Sequence, residues 1–130
     1  MEQEFITDSN VAIDFLSGKL PKSGMEFMNT VVNSFPVLSV ITKIEMLGYN
    51  ASDNDAALLS DFIKTSIVLE LSNEIVNKTI AIRKKHKIKI PDAIIAATAL
   101  VYDLTLITHN TNDFSPITRN GLRITDAWKV

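Results

Sequence analysis

Short apolar runs alternate with longer amphipathic segments along the whole chain. The apolar runs are rich in β-branched residues and predict buried strands, whereas the segments between them show helical periodicity. The predicted strands are 5–7, 36–40, 67–71, 105–108 and an edge strand at 122–124, and the predicted helices span about 10–16, 21–33, 42–49, 53–64, 74–85 and 91–102. This alternation predicts a three-layer α/β/α domain with a mostly parallel central sheet.

Local signals at the ends of these segments support the assignment. Gly18 can adopt the left-handed conformation that ends a helix, and Pro91 fits the first turn of the helix that it opens. N-cap side chains are expected from Asp53-Asn54-Asp55 for one helix and from Ser72 or Asn73 for the next. The segment that follows the strand at 105–108 is interpreted as a polar loop.

Length and composition narrow the class of protein. With 130 residues, 46% of them hydrophobic, the chain is expected to form one domain over 1–130. It has no cysteine, which excludes disulfides, thiolate zinc sites and cysteine nucleophiles. The start, Met1-Glu2-Gln3-Glu4, is acidic where a signal peptide is basic, and no apolar run is long enough to span a membrane, so a cytoplasmic protein is expected. The net charge of −2 means that any nucleic acid must bind to local basic patches.

Two carboxylates occupy places where ligands gather in parallel α/β sheets. Asp8 directly follows the first predicted strand, although Asp8 or Ser9 can equally be the N-cap of the next helix. Glu45 lies at helical spacing from Ile41 and Gly48, which places it on an apolar face. A carboxylate on such a face costs free energy unless it is paired, hydrogen-bonded or metal-bound; alternatively, its head reaches solvent at the edge.

Two further acids lie later in the chain, one in the first turn of a predicted helix and one in a predicted loop. Asp92 follows Pro91 in a first helical turn, where the helix dipole alone already favours an anion. Small residues follow it and allow close helix packing, which is expected to carry Asp92 toward the interior: Ala93, Ala96, Ala97 and Ala99. Asp113 lies beyond the strand at 105–108, in a segment polar enough to be an ordinary surface turn.

Taken in order, these acidic segments resemble the PIN domain family. The matching segments are 7–10, 42–46, 91–97 and 108–114, which carry Asp8, Glu45, Asp92 and Asp113, and the closing segment 121–128 resembles the tail of VapC-type toxins. Each segment is weakly specific alone, but their order and spacing match over essentially the whole chain.

The resemblance implies an endoribonuclease that depends on Mg²⁺ or Mn²⁺ and hydrolyses RNA with a metal-activated water. The four acids would be both catalytic residues and metal ligands, with Asp113 completing or substituting for the other three. Independently of the family, hard divalent cations prefer oxygen ligands. Clustered carboxylates also repel one another, so at least one pKa above its ordinary value is expected. Four polar residues are candidates to hold the carboxylates or water, or else to serve in caps and turns: Ser9, Asn10, Thr108 and Asn110.

The strongest run of positive charge lies at 83–89, just upstream of Asp92. It is either a solvated helix end or a track for the RNA phosphates, and its candidate RNA-binding residues are Lys84, Lys85, Lys87 and Lys89. Other cations could extend such a track: Lys19, Lys22, Arg119 and Arg123. His86 and His109 are too far apart to suggest a metal pair, and His109 is interpreted as a loop residue or a phosphate contact.

Within the family, resemblance to VapC-type toxins implies a homodimer and a cognate VapB-like antitoxin. Apolar segments at 25–28 and 57–59 could contact the antitoxin, although such stripes usually belong to the core. The alternatives are an RNA-processing nuclease that is not a toxin and a non-catalytic PIN-like interaction module. A phosphatase of the haloacid dehalogenase type is disfavoured because that chemistry needs a second acid two residues after Asp8, where this chain has Asn10.

Overall fold

The computed structural model describes residues 4–130, so the start of the chain at 1–3 lies outside the described residues. Within them, short strands alternate with helices. The strands are β1 (Phe5–Thr7), β2 (Val37–Ser39), β3 (Ile67–Leu69), β4 (Thr105–Ile107) and β5 (Arg123–Thr125). The helices are α1 (Ser9–Leu16), α2 (Lys22–Asn33), α3 (Val40–Leu47), α4 (Asp53–Lys64), α5 (Asn73–Lys85), α6 (Ile90–Val101), α7 (Thr111–Phe114) and a 3₁₀ helix (Ser115–Asn120). No helix among residues 4–130 has the length and apolarity that a membrane crossing requires.

Every hydrogen-bonded strand pair in the described residues is parallel, as the alternation of strands and helices predicts. Three strands pair in the order β1-β4-β5, with Phe5 opposite Thr105 and Thr105 opposite Arg123. β2 pairs with β3, with Val37 opposite Ile67, and β2 lies beside β1. β5 therefore forms the expected edge strand.

Two neighbouring residues of β4 show that helices cover both faces of the sheet. Leu106 is fully buried in a cluster with Ile95 and other residues of α5 and α6. Ile107 is also fully buried, but it packs with Val11 of α1 and Met28 of α2. Because successive strand side chains point to opposite faces, these clusters lie on opposite sides of the sheet. The predicted three-layer α/β/α arrangement is thus confirmed.

The small-residue stripe of α6 packs closely, as expected. Four alanines of this helix have no exposed surface, and α5 is its main neighbour: Ala93, Ala96, Ala97 and Ala99. The apolar side chains of segment 25–28 belong to the core, with Met28 fully buried. In segment 57–59 only Leu59 is buried, whereas Ala57 and Leu58 are exposed.

Some predicted boundaries are wrong because a single side chain sets the helix start. α3 begins two residues earlier than predicted, because Ser39 accepts a hydrogen bond from the backbone of its first turn. α4 is capped by Ser52, and Asp53 and Asp55 lie in its first turn instead of capping it. α5 is capped by Ser72, one of the two residues expected.

The interpretation of the segment after β4 as a polar loop is also wrong. It forms α7 and then the 3₁₀ helix, because Phe114 and Ile117 are fully buried and anchor it to the core. Gly121 ends this segment with a φ of 97°, a conformation that glycine adopts without strain. Gly18 follows α1 with a φ of 70°, as predicted.

Candidate active site

Asp8 is buried at the carboxyl end of β1, where the strand ladder continues one residue past Thr7. Its backbone N–H donates to the carbonyl of Ile107 at 2.9 Å. Its Oδ1 accepts from the backbone N–H of Ser9 at 2.9 Å, and its Oδ2 accepts from Oγ1 of Thr108 at 2.8 Å. Asp8 is therefore the N-cap of α1, and it is also only 5% exposed and fixed by two donors. Asp8 can therefore be both the N-cap of α1 and a carboxylate of the site, because the capping hydrogen bond from Ser9 is one of the two that hold its side chain.

A chain of hydrogen bonds connects Asp8 to Asp113. The Thr108 hydroxyl that donates to Asp8 accepts from the backbone N–H of Asn110 at 3.0 Å. The side-chain amide of Asn110 donates to Oδ2 of Asp113 at 3.0 Å. Asp113 itself is exposed in the first turn of α7. Thr108 and Asn110 thus orient two acids from opposite ends of one short loop.

Glu45 is linked to the other acids by a hydrogen bond from Ser9. The prediction that Glu45 lies on an apolar face of its helix is wrong. The buried face of α3 carries Thr42 and Met46, whereas Ile44 is 61% exposed and Glu45 is exposed as a residue. Its carboxylate nevertheless turns toward the site, where Oε1 accepts from Oγ of Ser9 at 3.2 Å. Glu45 is therefore a residue at the rim of the site, held by a hydrogen bond.

The pKa values show that the four acids share one electrostatic environment. Burial raises the pKa of Asp8, against the lowering effect of its bonds to Thr108 and Ser9. Desolvation also raises the pKa of Glu45, and the charges of Asp8 and Asp92 add to it. The pKa of Asp92 is raised by desolvation first and then by the charges of Asp8 and Asp113. At least one raised pKa was expected from repulsion, but burial is the largest cause in all three, and repulsion contributes only to the raised pKa values of Glu45 and Asp92.

The donor chemistry fits a hard cation, although the ligand set is not assembled. Among residues 4–130, no three acidic or histidine side chains are placed to hold one metal ion together. Asp8, Glu45, Asp92 and Asp113 nonetheless offer carboxylate oxygens from four separate elements, which is the ligand type that Mg²⁺ and Mn²⁺ take. Asp8 is fixed, whereas Glu45 and Asp113 are exposed, so their side chains have room to converge on it.

The remaining predicted residues differ in their distance from this site. Asn10 is exposed on α1, and no side-chain hydrogen bond from it is found in residues 4–130. Lys84, Lys85 and Lys87 are exposed around the end of α5. Lys89, the residue before α6, is close enough to Asp92 to lower the pKa of that carboxyl. Lys89 is thus the member of the basic run that lies nearest the acids.

The suggestion that Arg123 extends the track for the RNA phosphates is wrong, because of where this residue lies. It begins β5, beside the first residue of β4, at the opposite end of these strands from Asp8. Its guanidinium donates to Oδ1 of Asp103 at 2.8 Å and to the carbonyl of Asp103 at 2.9 Å. Lys19, Lys22 and Arg119 are exposed.

The two histidines make separate contacts. His86 pairs with Asn120 at 2.7 Å, which joins the basic segment to the 3₁₀ helix. His109 pairs with Asp126 and stacks near Trp128, contacts that the sequence pattern did not reveal. His109 is therefore a structured loop residue, one of the two interpretations considered.

Parallel strands with carboxylates beyond their carboxyl ends define an α/β domain with an acidic site. A family model described as PIN domain matches residues 5–120, so the chain belongs to the PIN domain family and the resemblance is confirmed. A search of curated protein sequences gives no match.

Solved structures share this fold over nearly the full chain. A chain of the toxin–antitoxin complex from Klebsiella pneumoniae is 27% identical, with a TM-score of 0.73, and the match covers 98% of this chain and 100% of that one. VapBC-1 from nontypeable Haemophilus influenzae matches at 24% identity and TM-score 0.76, covering 98% and 100%. DNA-bound VapBC from Salmonella typhimurium matches at 24% identity and TM-score 0.77, covering 97% and 99%.

Proposed function

We propose that residues 1–130 form one nuclease domain that hydrolyses RNA internally with Mg²⁺ or Mn²⁺. The observation that carries the proposal is the shared electrostatic environment of Asp8, Glu45, Asp92 and Asp113, which four different elements supply. Structural carboxylates are usually paired with cations or exposed, whereas here burial raises the pKa of three carboxyls and like charges add to this for Glu45 and Asp92. A site that keeps several acids together at this cost in free energy is suited to binding a cation.

Each residue has a distinct part in this proposal. Asp8, fixed by Thr108 and Ser9, offers oxygens whose positions change little. Asp92 lies in the first turn of α6, where the helix dipole favours its charged form against burial. Glu45 and Asp113 close the ligand set from the exposed side. A bound divalent cation would supply positive charge for the phosphate and activate the attacking water.

The proposed RNA track consists of Lys84, Lys85, Lys87 and Lys89, which lead from the end of α5 toward Asp92. The double variant Lys84→Glu/Lys85→Glu is expected to weaken RNA binding and to reduce the dependence of log K on log salt concentration by about two phosphate contacts. The matched control, Lys64→Glu/Lys129→Glu, also reverses two exposed lysines, one at the end of α4 and one in the C-terminal segment, both outside the basic run. An equal effect of the control would show that only net charge matters, and would argue against the track.

We further propose that the protein is a VapC-type toxin that acts in the cytoplasm as a homodimer and is inhibited by a VapB-like antitoxin. Relatives with its fold come from toxin–antitoxin complexes, one of them 27% identical over nearly the whole chain. Apolar side chains left exposed on the helices are candidates for both interfaces: Ile44, Leu47, Leu58, Val76, Ile80 and Ile90.

The test of catalysis compares purified wild type with Asp92→Asn on structured and single-stranded RNA. Cleavage is expected with Mg²⁺ or Mn²⁺, to stop with a chelator, and to be lost in the variant. The control is Asp61→Asn, which makes the same chemical change at an exposed position at the end of α4. Cleavage by Asp92→Asn at the wild-type rate would refute the assignment.

The test of the toxin role is growth. Expression of the wild type is expected to arrest growth, which Asp92→Asn should not do. Where a short open reading frame lies immediately upstream of the gene, its co-expression should relieve the arrest. Active cleavage in vitro with normal growth would favour the RNA-processing alternative.

A further inference from the structure

The loop between β4 and α7 is the shared support of two of the four acids. Thr108 fixes Asp8 and Asn110 fixes Asp113, each by a side-chain hydrogen bond. The two supporting residues also bond to each other through the Asn110 N–H and the Thr108 hydroxyl. Any shift of this loop would therefore move both carboxylates together.

His109 stands between these two supporting residues, and its side chain points to the C-terminal segment 125–130. Its Nδ1 lies 3.2 and 3.1 Å from the two carboxylate oxygens of Asp126. Since an ionised carboxylate only accepts, Nδ1 carries a hydrogen and donates it. The His109 ring also stacks near Trp128, with centroids 5.3 Å apart and planes at 34°. The side chain is about half exposed, whereas that of Asp126 is 8% exposed.

The C-terminal segment is itself firmly attached to the body of the domain. Ala127 is fully buried, and Trp128 Nε1 donates to Oδ2 of Asp14 on α1 at 3.3 Å. The hydroxyl of Ser23 on α2 donates to the backbone oxygen of Val130 at 2.7 Å. A Cβ on Gly24 would overlap the carbonyl oxygen of Ala127, so the segment lies directly on the α2 backbone. His109 thus contacts a fixed surface.

We propose that His109 is a positioning residue of the acidic site. Bonded to Asp126 and packed near Trp128, it fixes the backbone on either side of it, so that Thr108 and Asn110 keep Asp8 and Asp113 in place. The backbone of Thr108 is attached in the same direction, since its N–H donates to the carbonyl of Thr125 at 2.9 Å. Among the described residues, no hydrogen bond or ion pair joins the C-terminal segment directly to the four acids, so it would set their geometry through the loop.

The first experiment needs no nuclease activity and therefore does not depend on the proposed function. It measures amide hydrogen exchange in the metal-free protein, at the Asn110 N–H that donates to Thr108. His109→Ala and Asp126→Ala, which remove the donor and the acceptor of this bond, are each expected to accelerate exchange at Asn110 by about tenfold relative to amides of α6, because the loop opens locally. In the control Asp103→Asn, which removes the charge of the ion pair with Arg123 at the other end of the strands, this ratio should not change.

The conservative variant distinguishes positioning from general stability. In His109→Asn, Nδ2 occupies nearly the place of Nδ1 and can donate to Asp126, so protection of Asn110 should largely return. If His109→Ala does not fold, Asp126→Ala and His109→Asn still decide the question. Unchanged exchange at Asn110 in Asp126→Ala, or an equal change in Asp103→Asn, would overturn the proposal.

The second readout rests on the proposed nuclease function. With RNA and Mg²⁺, His109→Ala is expected to lower kcat by about tenfold, the lower end of the range for groups that support metal ligands, with KM nearly unchanged. A raised KM at normal kcat would make His109 an RNA contact and overturn positioning. If the wild type cuts no RNA, the proposed function fails, while the exchange measurement still tests His109.

Discussion

Replacing Thr108 by valine removes one buried hydroxyl while keeping the shape of the side chain. Thr108 has no exposed surface, and its hydroxyl makes two bonds, one to the carboxylate of Asp8 and one from the N–H of Asn110. Thr108→Val therefore tests directly whether the loop holds Asp8. Two consequences are expected, one for stability and one for activity.

The expected loss of stability follows from these two bonds. The bond to the charged Asp8 contributes about 1.5–3 kcal/mol, and the neutral bond from Asn110 about 0.5–1.5 kcal/mol. The second loss carries no further penalty, because the partly buried Asn110 N–H can bond to water instead. The total is about 2–4.5 kcal/mol, which for a domain of this size lowers Tm by roughly 7–17 °C. The pKa of Asp8 should rise further, because the Thr108 hydroxyl lowers it. Activity should fall by about 10- to 100-fold.

Thr7 provides a matched control on the neighbouring strand. Its hydroxyl is also fully buried, but it has no hydrogen-bond partner within the part of the chain that the structure describes. Thr7→Val should therefore be neutral or stabilising, because it removes an unsatisfied polar group. Thermal unfolding at neutral pH and RNA cleavage assays compare the two variants. Equal unfolding temperatures for Thr108→Val and Thr7→Val would refute the reasoning.

Two further predictions concern pH and the C-terminal segment. Because the pKa values of Asp8, Glu45 and Asp92 are raised, the folded protein binds protons more tightly than the unfolded chain does. The free energy of unfolding of the metal-free protein should thus fall as pH rises from about 4 through these raised pKa values, and Mg²⁺ should restore it at neutral pH. Urea titrations in which the free energy of unfolding rises over this pH range would contradict the prediction. Gly24→Ala should force the C-terminal segment away from α2 and shift the fluorescence of the single tryptophan to the red. The control is Gly18→Ala, whose Cβ has open space around it; it should strain only the backbone and leave the emission unchanged. Unshifted emission in a folded Gly24→Ala protein would mean that the close approach is not required.

The order of strands and helices could be predicted because the signals are local. Apolar runs, Gly18 and the alanines of α6 each act within a few residues, and the structure confirms what they predict. The position of Asp8 at a strand end follows in the same way, since the carboxyl ends of paired parallel strands share one edge.

The rest depends on contacts between distant residues. Glu45 faces the site because Ser9, 36 residues earlier, donates to it, not because its helix face is apolar. The helices after β4 form because Phe114 and Ile117 find space in the core, which no local pattern reveals. The pairing of His109 with Asp126 depends on the path of the chain end, so it was invisible in the sequence.

The central claim is that the four acids bind a divalent cation, and calorimetric titration of Mn²⁺ tests it most directly. The wild type should bind with release of protons, because carboxyls with raised pKa values must ionise to become ligands. Asp92→Asn should bind much more weakly, while Asp61→Asn should match the wild type. Equal Mn²⁺ affinity in the wild type and Asp92→Asn, or no binding by the wild type, would contradict the account.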